Sequence, residues 1–102
     1  MKKENKVWTL ISPTCHEILF KIAEEKKIPA TKIVLNTVFN KLPDKLEDDY
    51  LFVTEGARKI VISLNDKEYE RITELVQKEN VKPSKFLRMV IYTYLKQGGY
   101  IE

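Results

Sequence analysis

The sequence predicts a mostly α-helical fold with a short β ribbon, in which two tandem β-α-α units form an intramolecular pseudo-dimer around an antiparallel two-stranded ribbon. Three observations lead to this prediction. The order strand, helix, helix occurs twice along the chain. Each copy is only about forty residues long, a size that rarely folds alone without a disulfide, a bound metal or a partner subunit. Cys15 is the only cysteine, so no disulfide within the chain can stabilise either copy.

The predicted unit boundaries follow the distribution of charge. Residues 1–42 hold eight Lys and four Glu, a net charge of +4, and residues 58–102 hold nine Lys or Arg and six Asp or Glu, a net charge of +3. Between them lies an acidic connector at 43–57, where one Lys stands against five acidic residues for a net charge of −4. Basic surfaces are typical of nucleic-acid-binding proteins, although ordinary solvated surfaces have the same composition.

The second unit has the clearer pattern. Residues 59–64 alternate between two faces, one of them entirely apolar, which indicates a half-buried strand. Asn65 is suited to cap the helix that follows, and Glu68 stands three residues later, as a capping box requires. A further helix is expected to begin at Pro83 and to stop at Gly98, because proline suits a first helical turn and glycine a helix end.

The first unit has the same layout. A strand is expected at 6–11, followed by Ser12 as a helix cap and Pro13 at the first helical position. That helix should continue to about Lys27, and a second helix is expected over residues 30–42. A shift of 53 residues without gaps superposes the two units, with matched apolar positions but few identities.

Pairing of the two strands would satisfy their backbone N–H and C=O groups and leave four helices to cover one face of the ribbon. The connector has enough length for this, since fifteen residues can span up to roughly 50 Å. Its apolar run at 50–53 is expected to pack on the body, and residues 100–102 are expected to form a mobile tail. Pairing between two chains instead of within one is the alternative.

Strand-helix-helix units of this size resemble the ribbon-helix-helix family of DNA-binding proteins. The likeness is strongest at 59–65, Lys-Ile-Val-Ile-Ser-Leu-Asn, and at 81–88, Val-Lys-Pro-Ser-Lys-Phe-Leu-Arg. It covers both units, which is most of the chain outside the connector and tail. Two units in one chain resemble tandem members of the family, which include small regulators from archaeal viruses and plasmids.

The resemblance implies sequence-specific binding to double-stranded DNA and a role as a transcriptional regulator, for example a repressor. Members of the family insert the ribbon into the major groove, so that alternating side chains face the base edges. The matching positions for base readout are Lys6, Trp8 and Leu10 in the first strand, and Lys59, Val61 and Ser63 in the second, with Arg58 flanking them. Lysine can donate to guanine, serine can donate or accept, and valine can contact a thymine methyl.

The first strand departs from the family pattern, because Trp8 and Leu10 offer little hydrogen bonding to bases. Trp8 could instead face inward, with the strand shifted by one residue so that Val7, Thr9 and Ile11 are exposed. The alignment with the second unit favours an outward Trp8, and the usual burial of tryptophan favours an inward one. An outward Trp8 would suit an asymmetric DNA site.

The resemblance also implies a second anchor, where the N-terminus of each unit's second helix holds a DNA phosphate through its N–H groups and helix dipole. The matching positions are Thr31 and Lys32 in the first unit, and Ser84 and Lys85 in the second. Simple helix capping is the alternative explanation for these residues.

No Gly-rich phosphate loop and no supported Ser/His/Asp set occurs in the sequence, so we expect neither an enzyme nor a cofactor. The adjacent Cys15 and His16 point in different directions on a helix, which argues against a metal site. The expected partner is double-stranded DNA, with a homodimer or higher self-association on DNA as an option and with no membrane. The expected location is the cytoplasm (the host cytoplasm if the protein is viral). The alternative function is a protein-interaction module, for example antitoxin-like, that keeps the fold without reading DNA.

The first unit is the more apolar on its outer faces. These side chains could cover the connector or contact another chain: Ile18, Phe20, Leu35 and Phe39.

Overall fold

The computed structural model describes residues 5–101, so the ends of the two predicted units, 1–4 and 102, lie outside the described residues. Within that range the fold is mostly helical, with four helices and one two-stranded antiparallel sheet. The elements are β1 (Asn5–Ile11), α1 (Pro13–Lys26), α2 (Ala30–Asn40), β2 (Arg58–Leu64), α3 (Asp66–Glu79) and α4 (Pro83–Gln97). The predicted order of strands and helices is confirmed.

The two strands pair with each other within the chain. Asn5 lies opposite Leu64 at one end and Ile11 lies opposite Arg58 at the other, which makes seven antiparallel pairs. One face of this ribbon is buried, because residues of both strands alternate between the core and the surface. The alternation follows from the strand period of two, which sends successive side chains to opposite faces.

Local signals in the sequence account for the starts and ends of α1 and α3. The Ser12 hydroxyl accepts a hydrogen bond from the Cys15 N–H at 3.1 Å. Asn65 and Glu68 form the predicted capping box, in which each side chain accepts from the other residue's N–H, at 2.8 and 2.9 Å. Lys27 and Asn80 end the two helices with left-handed backbone, at φ 58° and 56°, a conformation that releases the chain from the helix and satisfies its last carbonyls.

The core lies between the ribbon and the helices. Each of the four helices and both strands contribute buried apolar side chains, and α4 is buried along most of one side. The largest fully buried apolar side chains are Phe86, Ile11, Leu19, Ile62, Leu64, Ile72, Leu87, Ile91, Leu95 and Val90. Each contributes about 1.5–3 kcal/mol through burial, so this shared core ties the two halves of the chain together.

The connector is held against α4 by hydrogen bonds and an ion pair. The Glu47 N–H donates to the Thr93 hydroxyl at 2.8 Å, and that hydroxyl donates to the Glu47 carbonyl at 3.3 Å. Lys96 Nζ lies 3.0 Å from the Glu47 carboxylate. Since Thr93 is fully buried, these bonds satisfy a hydroxyl that burial would otherwise penalise.

The expectation that the apolar run 50–53 packs on the body is only partly correct. Phe52 is half-buried beneath the guanidinium of Arg88, whose Cζ lies 4.2 Å from the ring centroid. Tyr50 and Leu51, by contrast, are 89% and 90% exposed, and Val53 is 63% exposed. The backbone turns at this point, with the Leu51 N–H donating to the Asp49 carboxylate at 3.1 Å, and the turn carries three of the four side chains outward.

Tyr100 and Ile101, which were predicted to belong to a mobile tail, fold back onto the body. The Tyr100 N–H donates to the Leu95 carbonyl at 2.9 Å, its ring stacks on Tyr94, and Ile101 packs against the core. Gly99 makes this possible, because its φ of 77° folds the chain back after α4. Glu102 lies outside the described residues.

Candidate nucleic-acid interface

The exposed face of the ribbon carries six side chains. Val7, Thr9 and Ile11 of β1 are buried, whereas Trp8 is 48% exposed, so the outward orientation of Trp8 is the one observed. On β2 the pattern is the same, with Ile60, Ile62 and Leu64 buried. The exposed face therefore consists of Lys6, Trp8, Leu10, Lys59, Val61 and Ser63, and the register pairs Lys6 with Ser63, Trp8 with Val61, and Leu10 with Lys59.

Arg58 lies at the edge of this face rather than on it. It is the first residue of β2, opposite Ile11, and alternation along the strand places it on the same side as Ile60. It is exposed because the strand begins there. Its charge is close enough to help lower the pKa of His16, after the larger effect of burial. Arg58 is thus a flanking cation near the start of α1.

The starts of α2 and α4 differ from those of α1 and α3. Neither α2 nor α4 has a side-chain hydrogen bond to its cap, and the cap residues are Pro29 and Lys82. The first N–H groups of a helix have no partner within the helix and carry a partial positive charge, which favours an anion. The predicted phosphate residues occupy these first turns: Thr31 and Lys32 in α2, and Ser84 and Lys85 in α4.

Each strand lies beside the helix start of the opposite half of the chain. Val61 and Ser63 of β2 line one open cleft with Thr31 and Lys32 at the start of α2. Lys6 and Trp8 of β1 line a second cleft with Ser84 at the start of α4, whereas Lys85 lines neither of these two clefts. Predicted base-reading and phosphate-binding positions therefore share a cleft on each strand, with Lys85 as the exception.

A partly buried hydrogen bond joins the strand and the helix start that line the second cleft. Thr9, which is fully buried on the inner face of β1, donates through Oγ1 to the Ser84 carbonyl at 2.6 Å. This bond joins the strand that carries Lys6 and Trp8 to the first turn of α4. The position of β2 that corresponds to Thr9 is Ile62, which has no hydroxyl, so α2 cannot be joined to the ribbon in this way.

The acidic connector also forms ion pairs with the first turns of α4. The Asp48 carboxylate lies 3.7 Å from Lys85 Nζ and 3.5 Å from Arg88 Nε. Arg88 Nε is buried and has no hydrogen bond within residues 5–101, so the nearby carboxylate is its electrostatic compensation. The sequence pattern places this aspartate in the acidic connector and does not predict the contact. The one signal that points to it is the opposite charge of the connector and the second unit.

Lys59 and Trp8 interact across the exposed face. Lys59 Nζ lies 5.1 Å from the centroid of the Trp8 ring, a cation–π distance. The lysine reaches diagonally, since its direct cross-strand neighbour is Leu10. The interaction favours this orientation of the indole and places a positive charge beside it.

Cys15 and His16 are explained by their positions in α1. Burial raises the pKa of the Cys15 thiol, against the opposing effect of the Ser12 hydrogen bond. The His16 ring stacks on Phe20 with ring centroids 4.3 Å apart, and burial lowers its pKa. Both groups are therefore neutral near pH 7, and the part of the chain that the structure covers contains no group of three or more possible metal-ligating side chains.

Comparison of the chain with family models, with curated proteins and with solved structures finds no match. Within residues 5–101, none of the helices has the length and apolar character needed to cross a membrane. The proposals below therefore depend on the geometry and charge of this molecule.

Proposed function

We propose that the chain is a tandem ribbon-helix-helix protein that binds double-stranded DNA and regulates transcription. In this proposal the two halves form a pseudo-dimer, and the exposed face of the ribbon enters the major groove. The starts of α2 and α4 hold the phosphates on either side. The observation that carries the proposal is the arrangement of the two clefts, in which each strand lies beside an uncapped helix start.

The spacing of the elements supports a tandem arrangement. The strands begin at Asn5 and Arg58, the first helices at Pro13 and Asp66, and the second helices at Ala30 and Pro83. Each pair is separated by 53 residues, the same shift that superposes the two sequence patterns. A two-stranded ribbon built from both halves fits a pseudo-twofold arrangement, and the major groove is wide enough to admit such a ribbon.

Charge supports the choice of DNA as the partner. None of the six exposed ribbon side chains is acidic, and lysines stand near both ends, at Lys6 and Lys59. Lys32 and Lys85 extend the positive charge into the helix starts. Basic groups that neutralise phosphates release counterions, so the binding constant should fall steeply as salt rises.

A salt titration of the purified chain with duplex DNA tests the proposal. Lys59→Ala and Ser63→Ala should weaken binding to a selected duplex while the circular dichroism spectrum and melting temperature stay close to those of the wild type. Lys41→Ala is the matched control, because it removes the same charge about 15 Å along the α2 axis from the helix start. Binding that does not depend on salt, or equal losses in Lys59→Ala and Lys41→Ala, would reject the ribbon as the reader.

A protein-interaction module, antitoxin-like in its role, is the second candidate function. The observation that favours it is the exposed apolar tip of the connector, where Tyr50 and Leu51 have almost no contact with the body. A chain that shows no salt-dependent DNA binding, but purifies in a stable complex with a coexpressed partner, would support this function. Loss of that complex in a Tyr50→Ser, Leu51→Ser variant would assign the contact to the tip.

A further inference from the structure

The exposed face of the ribbon has an apolar centre. Trp8 and Val61 form the fourth of the seven strand pairs, so they lie at the middle of the ribbon. They are 48% and 46% exposed. The half-exposed Leu10 follows Trp8 on the same face. The only polar hydrogen-bonding group that this centre offers is the indole N–H, which can donate but cannot accept.

Polar and cationic groups flank this centre. Lys6 and Ser63 form the pair on one side, and Lys59 stands on the other side, opposite Leu10. The contact between Lys59 Nζ and the Trp8 ring, at 5.1 Å, favours one orientation of the indole by about 0.5–1 kcal/mol. An ordered apolar surface loses little conformational entropy on binding, which favours its use in recognition.

The major groove contains one apolar group that such a surface can recognise. Thymine alone among the four bases presents a methyl group there, next to its O4 acceptor, whereas guanine, cytosine and adenine present only hydrogen-bonding atoms. Contact with Trp8 and Val61 removes the methyl group from water. Both A·T and G·C pairs place polar atoms against this surface, at a cost in hydration, but only the A·T pair offsets that cost by burying a methyl group.

We infer, on the basis of the proposed function, that the ribbon selects DNA whose central base pairs present thymine methyl groups to Trp8 and Val61. A·T pairs therefore stand at the centre of the preferred site, and the specificity of the centre comes from burial of methyl groups rather than from hydrogen bonds. The lysines at either side supply attraction to the duplex, and the apolar pair supplies the discrimination.

Replacing thymine by deoxyuridine tests this inference, because the exchange removes the 5-methyl group and leaves base pairing unchanged. A duplex is first selected from a random library at fixed salt, and each thymine in it is then exchanged singly. We expect about fourfold weaker binding for each methyl group that the ribbon contacts, and no change for thymines outside the central pairs. The exchanges outside the centre are the internal control.

Two variants connect the effect to the side chains. In Val61→Ser, which removes both methyl groups of the side chain, and in Trp8→Ala, the loss on exchange to deoxyuridine should shrink from about fourfold toward none at the thymine that the altered side chain contacts. Val61 is half-exposed, so Val61→Ser should lower the melting temperature by only a few degrees, whereas Trp8→Ala removes a half-buried ring and should lower it further. If Trp8→Ala does not fold, the result with Val61→Ser decides between the outcomes.

The outcomes separate the inference from the function that it rests on. Failure to bind any duplex at low salt would reject both. Tight, salt-dependent binding with G·C pairs at the selected centre, or with no response to deoxyuridine, would overturn the inference and leave DNA binding intact. A selected A·T centre whose sensitivity to deoxyuridine disappears in Val61→Ser would support it.

Discussion

The ion pair at the start of α4 leads to a quantitative prediction for Asp48→Asn. In the wild type the Asp48 carboxylate lies 3.7 Å from Lys85 Nζ, and the two side chains are 28% and 47% exposed. If Lys85 holds a DNA phosphate, the phosphate must compete with this carboxylate. Replacing Asp48 by asparagine keeps the size of the side chain and removes the competing charge, so DNA binding should become stronger.

The magnitude follows from counterion release. One additional phosphate contact steepens the slope of log K against log salt by about 0.9. Between about 200 and 50 mM salt, the ratio of the variant's binding constant to that of the wild type should then rise about 3.5-fold. The free energy of unfolding should fall by about 1 kcal/mol, the upper end of the range for partly exposed ion pairs. This loss of stability should be measurable, because the Asp48 carboxylate also lies 3.5 Å from Arg88 Nε and the substitution removes that ion pair as well.

Fluorescence anisotropy with a labelled duplex across this range of salt measures the slope directly. Asp49→Asn is the matched control, because the neighbouring carboxylate accepts from the Leu51 N–H within the connector and forms no ion pair with α4 among the described residues. Lys85→Gln, combined with Asp48→Asn, should abolish the gain. Equal gains in the Asp48 and Asp49 variants would show a general effect of net charge and refute a specific competition at α4.

Three further changes test the structure itself. Thr9→Val removes the 2.6 Å bond to the Ser84 carbonyl and keeps the shape of the side chain. It should cost about 1 kcal/mol and lower the melting temperature by roughly 4–8 °C; an unchanged melting temperature would contradict the bond. Asn65→Ala breaks the capping box with Glu68 and should also cost about 1 kcal/mol in a denaturant titration. Burial lowers the pKa of His16 from its ordinary value of 6.5, so the unfolded chain takes up this proton at a higher pH than the folded one. Stability should therefore fall as the pH drops below about 6.5, and His16→Gln should flatten that part of a melting-temperature profile.

The sequence predicted the elements well where the signal is local. The predicted strand at 6–11 is observed as Asn5–Ile11, and the predicted start at Pro83 is the start of α4. Alternation, capping residues and prolines act on their immediate neighbours, so a reader of the sequence can recognise them. The capping box at Asn65 was predicted for the same reason.

The orientation of Trp8 could not be decided from β1 alone, because both of its faces carry apolar side chains. Pairing with β2 decides it. The inner face of β2 is entirely apolar, and the register places Trp8 opposite the outward Val61. A one-residue shift of β1 would bury Trp8 but expose Val7 and Ile11. The orientation thus depends on a partner 53 residues away in the sequence.

Long-range contacts are also what distinguishes the two halves. Thr9 bonds to the first turn of α4, whereas its counterpart Ile62 cannot bond to α2. Asp48 lies beside Lys85 of α4, and the connector occurs only once in the chain. Two identical subunits could not differ in this way, because any change would appear in both. A single chain allows each half to change separately, and here the differences concentrate at one helix start. Under the proposed function, the two phosphate contacts are therefore unequal, and the DNA site that fits the ribbon should not be a palindrome.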